Sequence, residues 1–154
     1  MLNIVHCNNC IHLFFINLSF WEVIMAIMTK DAAIELFGDL WTKMVQGEFG
    51  KKLKENEITI KYEIHDPELT MYVDHTGCCF DDEAKPKVAV VLMKMSLDTA
   101  HKFWLKDLNV PKALALRQIK AKGPIGKVLQ LLPLLKPGQA MYPDYCKKFN
   151  VPTN

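Results

Sequence analysis

The sequence predicts an α+β domain in which helices cover a mixed or antiparallel sheet. Three observations support this fold class. Apolar residues recur at three- and four-residue spacing over residues 29–47, the pattern of an amphipathic helix. They alternate strictly over residues 57–64, as in a strand with one buried face. Residues 88–95, "VAVVLMKM", are apolar on both faces of a strand, which is typical of a strand covered on both sides.

The chain of 154 residues is long enough for one domain with a hydrophobic core and too short for two ordinary ones. Its apolar fraction of 50% is that of a globular protein and excludes wholesale disorder. We divide the chain into an N-terminal extension (1–28), a domain (29–137) and a C-terminal tail (138–154).

The extension contains the most hydrophobic stretch of the chain, residues 11–28, but polar residues such as Asn17 and Glu22 interrupt it. Residues 1–10 contain no Lys or Arg, so they do not resemble a signal peptide. We expect an over-extended start or a poorly ordered tail. An extra helix packed on the domain, or a membrane anchor, are the alternatives.

The domain opens with the helix "TKDAAIELFGDLWTKMVQG", in which Thr29 is the expected N-cap and Asp31 suits the first turn. Gly47 and Gly50 are expected to loosen its end. The strand "EITIKYEI" follows and places Ile58, Ile60, Tyr62 and Ile64 on one face.

Two further strands complete a predicted antiparallel meander. Asp66-Pro67 turns the chain into "LTMYVDH", whose inward residues are Leu69, Met71 and Val73. A second turn leads to "CCF", and "DDEAKPK" is expected to be a polar loop.

The second half of the domain begins with the apolar strand "VAVVLMKM". Ser96 is then expected to cap a helix, and Asn109 with Pro111 to open a shorter one. "QIKAKG" is a brief strand, and a final helical segment starts at Pro124. Pro133 is expected to break that segment and Pro137-Gly138 to stop it.

Charge is divided between the two halves of the domain. Residues 29–84 carry a net charge of −7, and residues 85–136 carry +9. Such a dipolar surface suits an anionic membrane, an acidic partner or a phosphate-bearing ligand, although the halves could also simply attract each other within one fold. The basic cluster of Arg117, Lys120, Lys122 and Lys127 has no interleaved aromatic residue, so we expect no nucleic-acid partner.

The sequence contains no recognisable catalytic constellation. It has two serines and no G-x-S-x-G motif, and its seven glycines form no phosphate-binding loop. The five cysteines, an odd number, favour a reducing cytoplasm, and "CNNC" lacks a second pair of metal ligands. We therefore expect no enzyme activity, no metal and no cofactor.

An ordered series of motifs follows the strand at residues 88–95: "SLD", then "LN" with "AL" four residues further on, then "IKAKG", then the apolar segment "LQLLPLL". Over roughly residues 29–136 this series resembles the sterol carrier protein type-two family, of which the chain would be a divergent prokaryotic member. The family usually has aspartate, glycine and glycine where this chain has Lys87, Lys106 and Arg117.

The resemblance implies a five-stranded, largely antiparallel sheet covered by helices, with an internal hydrophobic tunnel. It implies non-enzymatic binding and transfer or presentation of a sterol-like lipid, fatty acid, acyl-CoA or isoprenoid quinone intermediate. The C-terminal "VPTN" is not a peroxisomal signal, so a cytoplasmic setting is expected.

The apolar segment at residues 124–135 would close the tunnel. As a helix it spans about 18 Å, too short to cross a bilayer, and it is too apolar around its circumference for an ordinary surface helix. A helix that contacts the core on one side and a ligand or a membrane on the other would account for this apolar circumference. The alternative is a fully buried helix without a cavity.

We accordingly predict two sets of site residues. The ligand-binding set consists of Phe37, Trp41, Met71, Val73, Val91, Met93, Phe103, Trp104, Ile125, Val128, Leu129 and Leu132. The set that docks a headgroup or an acidic membrane surface consists of Arg117, Lys120, Lys122 and Lys127. The alternative function is a protein-interaction or dimerisation module whose apolar helix packs on a partner, and the sequence leaves the oligomeric state open.

Overall fold

The computed structural model of the chain describes residues 27–153. Over these residues it contains five strands: β1 (Ile60–His65), β2 (Leu69–Asp74), β3 (Gly77–Phe80), β4 (Val91–Ser96) and β5 (Lys120–Lys122). The helices of the same range are α1 (Lys30–Val45), α2 (Glu48–Glu55), α3 (Asp81–Ala84), α4 (Leu97–Trp104), α5 (Val110–Ala115), α6 (Ile125–Leu131), a 3-10 turn (Leu132–Leu135) and α7 (Lys136–Lys148). The predictions for the N-terminal extension fall almost entirely on residues 1–26, outside the described residues.

The strands form one sheet in the order β3-β2-β1-β4-β5. β1 pairs with β4 in parallel, and the other three pairings are antiparallel. The predicted α+β class, with a five-stranded and largely antiparallel sheet, is confirmed, as is the β1-β2-β3 meander.

The sheet is covered by helices on one face. In β1, Ile60, Tyr62 and Ile64 lie on the covered face, and Lys61 and Glu63 lie on the other. The pairing register places Met71 and Met93 beside Tyr62, on the same covered face. The alternation of apolar and polar side chains in β1 therefore identifies the face of the sheet that contacts the core.

The expectation that residues 88–95 form a strand covered on both sides is wrong. The strand begins only at Val91, and the Val88 and Val90 side chains before it are 91% and 46% exposed. Lys94 lies on the open face and forms an ion pair with Glu63. An apolar run measures hydrophobicity but does not show how many helical layers are present to cover it.

Helix starts follow the predicted caps. Thr29 Oγ1 accepts a hydrogen bond from Ala32 N at 3.2 Å and begins α1. Ser96 Oγ accepts from Thr99 N at 3.1 Å, and Asn109 Oδ1 from Lys112 N at 3.0 Å, at the starts of α4 and α5. These side chains satisfy backbone N–H groups that have no partner within the helix.

Two helices replace expected irregular segments. The chain enters α2 directly at Gly47, where loosening was predicted. A Cβ on Gly50 would lie 1.8 Å from Val45 O, so this turn of α2 packs against the end of α1 only because residue 50 is glycine. The predicted polar loop at residues 81–87 begins with the one-turn helix α3.

The C-terminal tail predicted for residues 138–154 is also wrong in its main part, because α7 runs to Lys148. Pro137 falls in the first turn, where its missing N–H leaves no hydrogen bond unmade. Tyr142 and Cys146 of this helix are fully buried. The predicted break at Pro133 is confirmed, since α6 ends at Leu131 and a 3-10 turn follows.

A candidate apolar ligand cavity

An apolar cavity lies between the covered face of the sheet and the helices. Its lining consists of Phe37, Trp41, Phe49, Ile60, Tyr62, Ile64, Met71, Met93, Met95, Ala100, Phe103, Trp104, Val110, Ile119, Val128, Leu131, Leu132 and Leu135. The empty space among these side chains is about 670 Å³, including the part that is open to solvent. The cavity volume itself is only about 60 Å³, so the cavity is narrow.

The sheet wall of the cavity consists of side chains at alternate positions of three strands. β1 contributes Ile60, Tyr62 and Ile64. Neighbouring strands contribute methionines, at Met71 and Met93 beside Tyr62 and at Met95 beside Ile64. Unbranched thioether side chains change rotamer easily, so this wall can widen around a bound chain.

Aromatic rings form much of the helical wall. The Trp41 ring centroid lies 5.6 Å from that of Phe49, 6.0 Å from Tyr62 and 5.3 Å from Trp104. Behind Trp104, the buried Tyr142 ring stacks at 6.0 Å. Trp41 is therefore held on several sides by aromatic neighbours, which fixes its position in the wall.

The apolar segment at residues 124–135 contributes one side of its surface to the cavity. Val128, Leu131, Leu132 and Leu135 line it. Leu129 does not line the cavity and is 38% exposed. The segment thus has an inner face toward the cavity and an outer face that retains apolar surface.

Eight of the twelve predicted ligand-binding residues lie around the cavity: Phe37, Trp41, Met71, Met93, Phe103, Trp104, Val128 and Leu132. The other four do not line it. Val73 and Val91 pair with Ile60 on the covered face and are fully buried in the core at that end of the sheet. Ile125 packs against the core from α6, and Leu129 faces an adjoining open pocket.

Sequence reasoning missed several lining residues. Ile60, Tyr62 and Ile64 were placed inward by the alternation of β1 but were not assigned to a site. Met95 lies two residues after Met93 in β4, so the same alternation places it on the covered face. Phe49 carried no signal because α2 was not expected.

The lining has few polar side-chain atoms. They are the indole nitrogens of Trp41 and Trp104 and the Tyr62 hydroxyl. Trp41 Nε1 is buried and has no hydrogen-bond partner among residues 27–153. Burial alone raises the pKa of the Tyr62 phenol well above its ordinary value, so this hydroxyl stays protonated and can donate.

An open pocket adjoins the cavity and shares Phe103, Val110 and Leu132 with it. Lys106 and Lys136 stand at its edge, together with Leu129 and the Gln139 side chain, whose Nε2 donates to Phe103 O at 2.9 Å. The shared side chains are the boundary between the apolar interior and this basic, solvent-facing pocket.

The predicted docking residues are dispersed. Lys120 and Lys122 pair with Lys94 and Leu92, so they lie on the open face of the sheet, opposite the cavity. Arg117 is exposed after α5, and Lys127 is exposed on α6 next to the lining residue Val128.

Asp81 and Cys78 are two reactive side chains outside the cavity, and each is engaged or buried in the fold. No group of three or more His, Cys, Asp or Glu side chains there is placed to hold a metal ion. Asp81 pairs with Lys30 at 2.5 Å and accepts from Thr70 N at 3.1 Å. Burial raises the pKa of the Cys78 thiol to about 11, which leaves it protonated and unreactive at neutral pH.

Within residues 27–153, no helix combines the length and the apolar character needed to cross a membrane.

No family model and no curated protein matches the sequence. Solved structures do match. Sterol carrier protein 2 from Yarrowia lipolytica, in its apo form, is 13% identical with a TM-score of 0.57, over 75% of this chain and 98% of that chain. The sterol carrier protein domain 2 of Helicoverpa armigera is 13% identical with a TM-score of 0.56, over 71% of this chain and 89% of that chain.

Both likenesses extend over most of this chain and most of the matched chain. At this level of identity, they establish architecture. The chain therefore has the fold of the sterol carrier protein type-two domain, as its ordered motifs predicted.

Proposed function

We propose that the protein binds a long apolar ligand in the cavity and carries or presents it without catalysing a reaction. The observation that carries this proposal is the cavity itself, which is lined almost wholly by aliphatic, aromatic and methionine side chains. The fold shared with two sterol carrier proteins supports the same function. Sterol-like lipids, fatty acids, acyl-CoA esters and isoprenoid quinone intermediates are the candidate ligands.

The energetics favour such a ligand. Each buried methylene group contributes about 0.8 kcal/mol, so a C16 chain gains roughly 12 kcal/mol before costs. Loss of translational freedom and ordering of the chain reduce this to micromolar or somewhat tighter binding. Because the cavity is narrow, binding also requires Met71, Met93 and their neighbours to repack.

Binding can be tested with diphenylhexatriene, an apolar probe that fluoresces when it leaves water. We expect micromolar binding to the wild-type protein and its loss in Leu132→Arg, which places a charge in the cavity wall. Leu129→Arg is the matched control, because Leu129 belongs to the same segment, is 38% exposed and does not line the cavity. Native mass spectrometry of freshly purified protein should in addition show co-purifying lipid.

Two results would contradict the proposal. One is the absence of both probe binding and co-purified lipid. The other is unfolding of Leu132→Arg under conditions in which Leu129→Arg stays folded, which would make Leu132 an ordinary core residue.

Three lysines near the cavity support a second element of the proposal, which is docking on an acidic membrane surface or headgroup. Lys127 stands next to Val128 of the cavity wall, and Lys106 and Lys136 border the adjoining pocket. Each such lysine contributes about 1 kcal/mol near an anionic surface, and salt weakens the contribution. Co-sedimentation with vesicles should require phosphatidylserine and decline with salt; equal binding to neutral vesicles would contradict docking.

A protein-interaction or dimerisation module is the alternative function. The exposed Leu129 and Leu116 side chains, 38% and 60% accessible, favour it. Light scattering at several concentrations discriminates the two functions. A monomer that carries extracted lipid supports the carrier, and a lipid-free dimer supports the interaction module.

A further inference from the structure

One residue of the cavity wall carries an unsatisfied hydrogen-bond donor. Trp41 is 1% exposed, lines the cavity, and its Nε1–H has no acceptor among the described residues. Buried N–H groups are nearly always hydrogen-bonded, because a donor removed from water without a partner costs about 1–3 kcal/mol. The neighbouring aromatic faces are at most weak acceptors.

The ring of a second lining residue with a donor, Tyr62, is adjacent to the Trp41 ring. The Tyr62 and Trp41 rings are tilted by 33° with centroids 6.0 Å apart, and both line the cavity. The Tyr62 ring projects from the centre of the sheet wall, between Met71 and Met93. The side chains of these two neighbours offer only a thioether sulfur, which is a poor acceptor.

We propose that the ligand carries a neutral acceptor oxygen, as in an alcohol, ketone, ether or quinone, and that Trp41 Nε1–H and the Tyr62 hydroxyl donate to it inside the cavity. This inference rests on the proposed function and narrows its ligand class. A neutral oxygen fits the pair because two uncharged donors satisfy its lone pairs. A carboxylate at the same place would lose its hydration without meeting a compensating cation. Lys106 and Lys136, at the edge of the adjoining pocket, are the cations that a charged head would seek instead.

The experiment uses the full chain and two probes with the same carbon chain, 1-hexadecanol and hexadecane, each displacing bound diphenylhexatriene. Tyr62→Phe removes the hydroxyl and keeps the ring. It should weaken hexadecanol binding by roughly 3- to 10-fold and leave hexadecane binding unchanged. Tyr72→Phe is the matched control, because Tyr72 lies on the neighbouring strand with its ring on the open face, where it contacts Lys87. It should change neither affinity.

An infrared measurement checks the contact without relying on affinity. The carbonyl stretch of bound 2-heptadecanone should lie at lower frequency in the wild type than in hexadecane solution, and should move back toward the solvent value in Tyr62→Phe.

The outcomes are distinguishable. Equal losses for both probes in Tyr62→Phe, or no loss for either, overturn the inference and leave the carrier function standing. Palmitate binding more tightly than hexadecanol, with the gain removed by Lys106→Gln and Lys136→Gln, overturns it in favour of a charged head at the adjoining pocket. If diphenylhexatriene and both C16 probes fail to bind the wild type, the proposed function falls, and this inference with it.

Discussion

His101 Nδ1 and the Tyr142 hydroxyl lie 2.8 Å apart and form a hydrogen bond in the protein interior. The two side chains are 3% and 0% exposed, so neither can obtain an equivalent partner from water. The bond joins α4 to α7, and the Tyr142 ring also stacks on Trp104 in the wall of the cavity. The C-terminal helix is thus part of the support of the cavity.

Tyr142→Phe should destabilise the protein, because it leaves the His101 ring nitrogen buried without this partner. We expect a loss of about 1–3 kcal/mol in the free energy of unfolding, measured by urea denaturation. Tyr145→Phe, a partly buried position on the same helix, is the control and should change stability by less. Equal effects of the two substitutions would mean that the hydrogen bond contributes nothing.

Stability should fall as the pH decreases below about 6.5. Burial lowers the pKa of His101 from its ordinary value of 6.5, and the nearby Asp98 only partly offsets the shift. The unfolded chain therefore binds this proton at a higher pH than the folded one, so lowering the pH through 6.5 favours unfolding. Denaturation between pH 7.5 and 5.5 should show this decline, and His101→Gln should flatten it. The exposed His75 supplies the control, since His75→Gln should leave the slope intact.

Gly138→Ala should destabilise the protein. A Cβ at this position would lie 2.8 Å from both Met44 Sδ and Trp104 Cζ3, and the indole ring has little freedom to move. Overpacking of this kind costs about 1–3 kcal/mol, partly offset by the better helix propensity of alanine. Gly126→Ala in α6 meets nothing within 4 Å and should stabilise instead. A Gly138→Ala protein with a raised melting temperature would show that α7 can shift away from α4.

Truncation should have little effect on stability at the N-terminal end and a large effect at the C-terminal end. Residues 25–154 should unfold at nearly the temperature of the full chain, because α1 and its Thr29 cap lie within this range. Removal of residues 138–154 should abolish cooperative unfolding, because it exposes the core around Trp104. A marked loss of stability in the first case would assign residues 1–24 a structural role.

Local signals in the sequence predicted much of this fold. Thr29, Ser96 and Asn109 cap helices where their side chains and neighbours predicted, because a cap is a contact within four residues. Alternation in β1 and β2 likewise identified the covered face, since strand geometry alone sends successive side chains to opposite sides.

The features that were missed depend on contacts between distant residues. Pro137-Gly138 has the composition of a helix stop, and it begins a helix because Gly138 fits against Met44 and Trp104. Val73 and Val91 lie on the predicted face, but their position along it, beside Ile60, keeps them out of the cavity. Periodicity gives the face of an element and does not give the distance along it to a cavity.

The parallel pairing of β1 with β4 has a kinetic consequence. It joins Ile60 to Val91, about thirty positions apart, whereas the β1-β2-β3 meander closes through short turns. Because pairing over a long loop carries a larger entropic cost, the meander should form early and the docking of β4 should be slow. Met71 and Met93 reach the cavity from opposite sides of β1, so only the completed sheet has the whole methionine wall. A ligand would then be captured late in folding, and its residence in the cavity would slow the detachment of β4 during unfolding.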